Sequence, residues 1–201
     1  MNELYSVAMI VSIATFTLST VLTPGPNNIM LLSSGLTFGY KKTLPHILGV
    51  IFGFPFMVIL VGLGMGVVFE NYPFLFQIVK IVGIVYLFWL AYKIANSANN
   101  YDTIEKAQPL SFLQAAAFQW LNPKGWIMAI TSVSVFVTSS QNYFMQVVFV
   151  SFIYFLSGMI STNSWTLGGV LLKKFIKSEK SIGIFNKLMA LLLVLSIIPF
   201  I

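Results

Sequence analysis

Thr23-Pro24-Gly25-Pro26-Asn27-Asn28 interrupts what would otherwise read as one long apolar helix. Two prolines flanking a glycine remove two backbone donors and forbid a regular helix across that point. The apolar runs on either side, Val7 to Leu22 and Ile29 to Leu36, place the break within a bilayer rather than in water. Lipid cannot satisfy freed peptide groups, so broken backbone at membrane depth must be buried in protein or line a cavity. Asn122-Pro123-Lys124 falls at the matching place in the second half of the chain and interrupts another apolar run.

The composition around these breaks is that of an integral membrane protein. Of 201 residues, 58% are hydrophobic and 8% charged, whereas a soluble domain carries roughly 25% charged residues. No stretch is long enough for a separate soluble domain. The absence of cysteine excludes disulfides, thiolate metal ligands and thiol catalysis. Residues 1–22 lack a basic leader region, carry Glu3 instead and show no small-x-small cleavage site, so they read as a retained first span.

Six spans are expected, at about 5–36, 43–69, 74–94, 110–137, 143–172 and 182–201. The first and fourth contain the two breaks, and Pro109 is expected to open the fourth near its first turn. Gly49-x-x-x-Gly53 and Gly62-x-x-x-Gly66 let another helix approach closely, although glycine is also simply frequent in membrane helices. Tyr86, Trp89 and Tyr92, towards the end of the third span, read as an interfacial belt. The fifth span is rich in serine and threonine.

Lysines fix the orientation. Lys41 and Lys42 follow the first span, Lys93 and Lys106 the third, and Lys173, Lys174, Lys177 and Lys180 the fifth. The alternate loops, at Glu70 and at Ser139–Asn142, hold none. This alternation puts loops one, three and five in the cytoplasm and both termini outside. The net charge of +6 is therefore a topology signal, and no nucleic-acid partner is expected.

Six spans divide into three and three, each half opening with a broken helix. Because each half has an odd number of spans, the halves face opposite ways. The expected fold is an all-α integral membrane domain over 1–201, built of two inverted three-helix repeats with broken first helices. Repeat one covers about 1–96, a polar cytoplasmic loop about 96–109, and repeat two about 110–201. In such repeats broken helices meet near the midplane and build the substrate site. Freed amides there bind a carboxylate, and freed carbonyls bind an ammonium group.

Lys124 sits mid-span, where a cation costs about 2.5–3.5 kcal/mol on insertion scales. Two roles are open to it: pairing with a substrate carboxylate, or holding the broken backbone by donating to carbonyls freed near Pro24–Pro26. Lys80 lies nearer the outer surface and has room to snorkel. His46, near the start of the second span, reads as interfacial. No Asp or Glu lies well inside any span. With no cysteine, no histidine cluster and no buried carboxylate pair, an enzyme lacks its parts, and neither a metal nor a cofactor is expected.

At these residues the sequence resembles the LysE/RhtB family of bacterial amino-acid exporters, the LysE-type translocators. Thr23-Pro24-Gly25-Pro26-Asn27 carries the likeness, with Gly35 and Gly39 before the basic pair. It continues in Gly49 and Gly53, in Lys80-x-x-Gly83-x-x-Tyr86-Leu87, and in Leu121-Asn122-Pro123-Lys124. The resemblance implies a six-span inner-membrane carrier that exports amino acids or related metabolites, driven by a proton or ion gradient. It also makes Pro24, Pro26, Asn27, Lys80, Asn122, Pro123 and Lys124 the core positions, to which the break adds Gly25. The chain departs from the pattern where many members carry an acid and it has Phe54. It departs again at Ala91, at Ala115 or Ala116, and at Met189 and Ala190. The missing acid bears on proton coupling and on cationic substrates.

The expected function is secondary export of an amino acid or similar small zwitterion across the cytoplasmic membrane by alternating access. The expected partners are that substrate and the lipid bilayer, and the glycine-rich face of the second span is compatible with a homodimer. The alternative is a non-transporting or degenerate membrane subunit, a scaffold of the same fold.

Overall fold

A computed structural model describes residues 4–96, 108–138, 142–176 and 179–198. Helix α1, Val7–Leu22, starts at Ser6, whose hydroxyl accepts from the Met9 amide, and stops at Thr23. Thr23 is extended (φ −60°, ψ 142°), the backbone that a following proline imposes. Gly25 is extended too, and Pro26 then opens α2, Pro26–Phe38, at its first helical position, where no amide is lost. The axes of α1 and α2 differ by 58°.

The first loop shrinks to one residue. Gly39 ends α2 and starts α3, Tyr40–Leu60, at a φ of +79° that only glycine adopts easily. Lys41 and Lys42 therefore lie exposed in the first turn of α3 rather than in a loop. A π-helical turn, Val61–Met65, with Gly64 at φ +123°, joins α3 to α4, Gly66–Asn71. Next come α5, Pro73–Asn96, and α6, Phe112–Phe118. Ser111, not Pro109, opens α6: its hydroxyl accepts from the Gln114 amide while the Gln114 side chain accepts from the Ser111 amide. Tertiary amide geometry made Pro109 a plausible start, but the reciprocal cap satisfies two amides that proline cannot.

A 3-10 turn, Gln119–Leu121, leads to Asn122 and then to α7, Pro123–Phe136. The chain continues in α8, Tyr143–Leu172, and α9, Glu179–Leu195. Three helical segments are long and apolar enough to cross a bilayer: 40–71, 73–96 and 143–172. The bent pair α1 and α2 makes a fourth if it counts as one span. Segment 110–137 is broken as expected, and α9 has 17 residues. The described residues form no strand. Most of the polar segment 96–109, part of the turn at 139–142, and Lys177 lie outside the described residues.

Exposed side chains on α5 (Ile78, Ile81, Val82, Val85 and Phe88) form an apolar surface that suits lipid. Inside, backbone meets backbone at glycine. A methyl at Gly169 of α8 would collide with the Leu32 carbonyl of α2, and one at Gly35 would collide with Thr166. Gly49 and Gly53 do admit a neighbour, α6, whose Ala115 and Ala116 press against them. Gly62 packs on Val147, whereas Gly66 makes only ordinary contacts, so the second spacing serves at one residue. Tyr86 is not simply part of an interfacial belt, because its ring packs on Phe118 at 5.7 Å. Gly83, on the same helix, brings α5 against the Leu121 carbonyl at the second break.

Candidate translocation site

The last carbonyls of any helix lack intrahelical partners, and those of α1 are met by side chains from four places. The Thr23 hydroxyl donates to the Thr20 carbonyl at 2.7 Å. Asn28 Nδ2 donates to the carbonyls of Val21 (2.7 Å) and Thr23 (2.9 Å). Ser161 of α8 donates to Val21 at 2.7 Å. Lys124 Nζ, from the second break, donates to the Thr23 carbonyl (2.9 Å), the Thr23 hydroxyl (2.7 Å) and the Pro24 carbonyl (3.3 Å). A cation at the negative end of a helix is electrostatically favourable. Of the two roles open to Lys124, this arrangement is the second, a clasp on the carbonyls freed by the prolines. Gly25 makes room for it, since a methyl there would stand 2.9 Å from Lys124 Cδ.

The helix starts are treated differently. Both α2 and α7 begin with proline at the first helical position, and neither has a side-chain cap. Their first intrahelical bonds run from Ile29 to Gly25 (3.0 Å) and from Trp126 to Asn122 (3.3 Å). Asn122, only 4% exposed, has its Oδ1 without a partner among the described residues. Asn27 and Gln119 join the two starts: Asn27 Nδ2 donates to Gln119 Oε1 at 2.8 Å, and Gln119 Nε2 donates back to Asn27 Oδ1 at 3.2 Å. Gln119 also donates to the Ala115 carbonyl and is wholly buried.

Between the breaks lies a cavity of about 50 Å³, room for roughly three to five waters. Gly25, Pro26, Asn27 and Asn28 line it from the first break, and Asn122, Lys124 and Gly125 from the second. Phe54 and Pro55 of α3 and Tyr154 and Ser161 of α8 complete the wall. Phe54 and Tyr154 meet edge to face at 5.0 Å. Pro55 has no amide to give the Ile51 carbonyl, so a third helix presents weakened backbone to the same space.

Five of the eight residues singled out in the sequence therefore line one cavity: Gly25, Pro26, Asn27, Asn122 and Lys124. Pro24 supplies a carbonyl to Lys124, and Pro123 starts α7. Lys80 is half-buried on α5 and does not line the cavity. Gln119, Tyr154 and Ser161 escaped the sequence reading, and Asn28, although within the first break, was not among its site residues. Gln119 did leave a trace, as a lone polar side chain three residues before Asn122 in an apolar run. His46 does not face outward as an interfacial side chain would: it is 1% exposed, with Nδ1 3.4 Å from Ser34 Oγ. Tertiary packing, which the flanking lysines do not report, encloses the ring.

The sequence model of the LysE type translocators matches residues 18–197. The chain belongs to the LysE type translocator family. This translocator is 32% identical, over 164 residues, to the cysteine/O-acetylserine efflux proteins of Escherichia coli (strain K12) and Shigella sonnei (strain Ss046). The matched region covers 81% of this chain and 83% of each relative. No solved structure matches it. Family and apolar helices together make the translocator a multi-pass membrane protein.

Proposed function

We propose that this translocator exports a small zwitterionic amino acid of the cysteine and O-acetylserine class across the bacterial cytoplasmic membrane. The observation that carries the reading is the cavity between two uncapped helix starts, with the unpartnered Asn122 Oδ1 in its wall. Open amides at the starts of α2 and α7 receive the substrate carboxylate. Asn122 Oδ1 and neighbouring carbonyls receive the ammonium. Lys124 orders the end of α1 and keeps positive potential near the carboxylate.

The lining supports a neutral zwitterion over a cationic substrate. Among the described residues that line the cavity, Lys124 is the one with a charged side chain, and Phe54 adds no carboxylate. The relatives' names agree with that preference.

Alternation of lysine-bearing and lysine-free loops supports both termini outside. The two breaks support two opposed three-helix halves within one domain, rocking about the fixed site. Residues Pro24, Pro26 and Pro123 keep the helices broken at that site. Lys80 stays a candidate for a path into the cavity rather than for its wall.

Export is tested in cells lacking their own cysteine exporters. Expression is expected to confer cysteine resistance and to raise extracellular cysteine or O-acetylserine. Asn122→Ala and Lys124→Met are expected to abolish both effects while still inserting in the membrane. No efflux across an amino-acid panel, with the protein in the membrane, would overturn the reading. It would favour a non-transporting scaffold, to which Phe54, Ala115 and Ala116 already lean.

A further inference from the structure

His46 is the only histidine in the chain, and the site described above makes no use of it. Its ring is buried, and Nε2 has no hydrogen-bond partner among the described residues. The bond from Nδ1 to Ser34 is at the long limit, 3.4 Å. Buried polar atoms in native proteins nearly always find partners, so an exception calls for a reason. Ionisable groups inside membrane helices are costly and mark functional positions.

Position supplies the reason. Val50 and Phe54 of α3 line the cavity, and His46 lies four and eight residues before them, on the same helical face. It therefore sits about 6 Å along the axis from Val50, towards the end of α3 that bears Lys41 and Lys42. Ser34 lies on α2, two turns beyond Asn27. The pair meets between α2 and α3, about one helical turn from the cavity wall on the side that bears Lys41 and Lys42.

Among the described residues packed on His46, no carboxylate is at hand to hold a charged imidazole. Helices α2 and α6 carry no titratable side chain. On α3 the others are Tyr40, which donates to Asn163, and the exposed Lys41 and Lys42. Helix α8 has only Tyr143 and Tyr154, the first bonded to the Gly62 carbonyl and the second in the cavity wall. Helix α7 has Lys124, committed to the first break.

We propose that His46 is the proton-binding site of this translocator. The proposal rests on the export reading above and names its coupling group. The neutral imidazole fits the closed contact with Ser34. A proton adding to the free ring nitrogen makes an imidazolium that this contact cannot hold, so protonation parts α2 from α3 and admits water. Substrate enclosed by the closed contact and proton on His46 then exclude one another. By linkage each weakens the other's binding equally, and that competition couples proton entry to substrate exit. A zwitterion carries no net charge, so one proton exchanged for one substrate moves one positive charge inward per cycle.

The test uses the full chain in proteoliposomes, purified without a histidine tag, with O-acetylserine as probe. Counterflow of labelled O-acetylserine needs no net proton movement and reports the export reading alone. Accumulation driven by an imposed pH gradient reports coupling. Wild type is expected to show both, and H46Q to keep counterflow while losing gradient-driven accumulation. Undiminished gradient-driven accumulation by H46Q would overturn the proposal and leave export standing. Absence of counterflow in wild type would overturn export itself. Should H46Q fail to insert, the single imidazole of 15N-histidine-labelled wild type is titrated by NMR. Saturating O-acetylserine is expected to move its midpoint to lower pH, and an unmoved midpoint would overturn the proposal.

Discussion

The two breaks begin from similar sequence and end in different circumstances. At the first, carbonyls freed near Pro24–Pro26 are occupied by Asn28, by Ser161 and by Lys124, which comes from the second break. At the second, the chain looks after itself. A 3-10 turn bonds the Asn122 amide to the Gln119 carbonyl at 3.3 Å, and the Trp126 indole reaches back to the Trp120 carbonyl at 3.0 Å. Asn122 Oδ1 is left over. The comparison teaches that proline and asparagine at a break do not fix its role. One asparagine, Asn28, is structural glue, while the other, Asn122, is an open acceptor facing a cavity.

Substitutions separate these roles. The largest effect belongs to Lys124→Met, which removes the donor from Thr23 and Pro24 at once. It is expected to abolish efflux and to cost about 1.5–3 kcal/mol of stability, the range for bonds to a charged group. Thermal unfolding in mild detergent, beside an efflux assay, checks both. Wild-type melting with this variant would mean that the clasp is dispensable.

Asn28→Ala comes next. It strips a donor from two carbonyls and is expected to lower stability by roughly 1–3 kcal/mol, read as a lower melting temperature whether or not substrate is present. A smaller coupling is expected across the breaks. In a double-mutant cycle of Asn27→Ala and Gln119→Ala, the interaction should measure about 0.5–1.5 kcal/mol. A coupling of zero would mean that the amide pair does not tie the halves together.

Asn122→Ala sits at the bottom of the stability scale. Its oxygen has no partner to lose among the described residues, so melting should fall less than with Asn28→Ala while efflux disappears. If Asn122→Ala instead destabilised as much as Asn28→Ala, the contrast between the two breaks would collapse.

Much of this architecture was legible in the sequence because its causes are local. Proline removes an amide wherever it stands, so Pro24, Pro26 and Pro123 marked both breaks. The apolar run at 143–172 coincides with α8. The spacing of Gly49 and Gly53 told of a close neighbour, though not that α6 would be it. What stayed hidden depends on pairing across the fold. Gln119 finds Asn27 from 92 positions away, and its place in an apolar run does not say which partner it meets. His46 sits a few residues beyond two lysines, which spoke for an interface, yet α2 lies over the ring through Ser34. Lys80 illustrates the converse: a charge within an apolar run drew notice, but that alone does not turn it towards the cavity.

The clasp at the first break also has a consequence for how the protein is made. Lys124 follows Thr23 by 101 positions, a gap of roughly 5–20 seconds at ordinary rates of synthesis. Ser161, the other distant donor, follows Val21 by 140. Until they emerge, only Asn28 and the Thr23 hydroxyl serve the end of α1, and the Pro24 carbonyl waits for its donor. The first half is thus born with an open wound that only the second half closes. A nascent chain halted before Lys124 would leave the ribosome as a substrate for quality-control proteases, and assembly of the two halves is checked by the same bonds that shape the site.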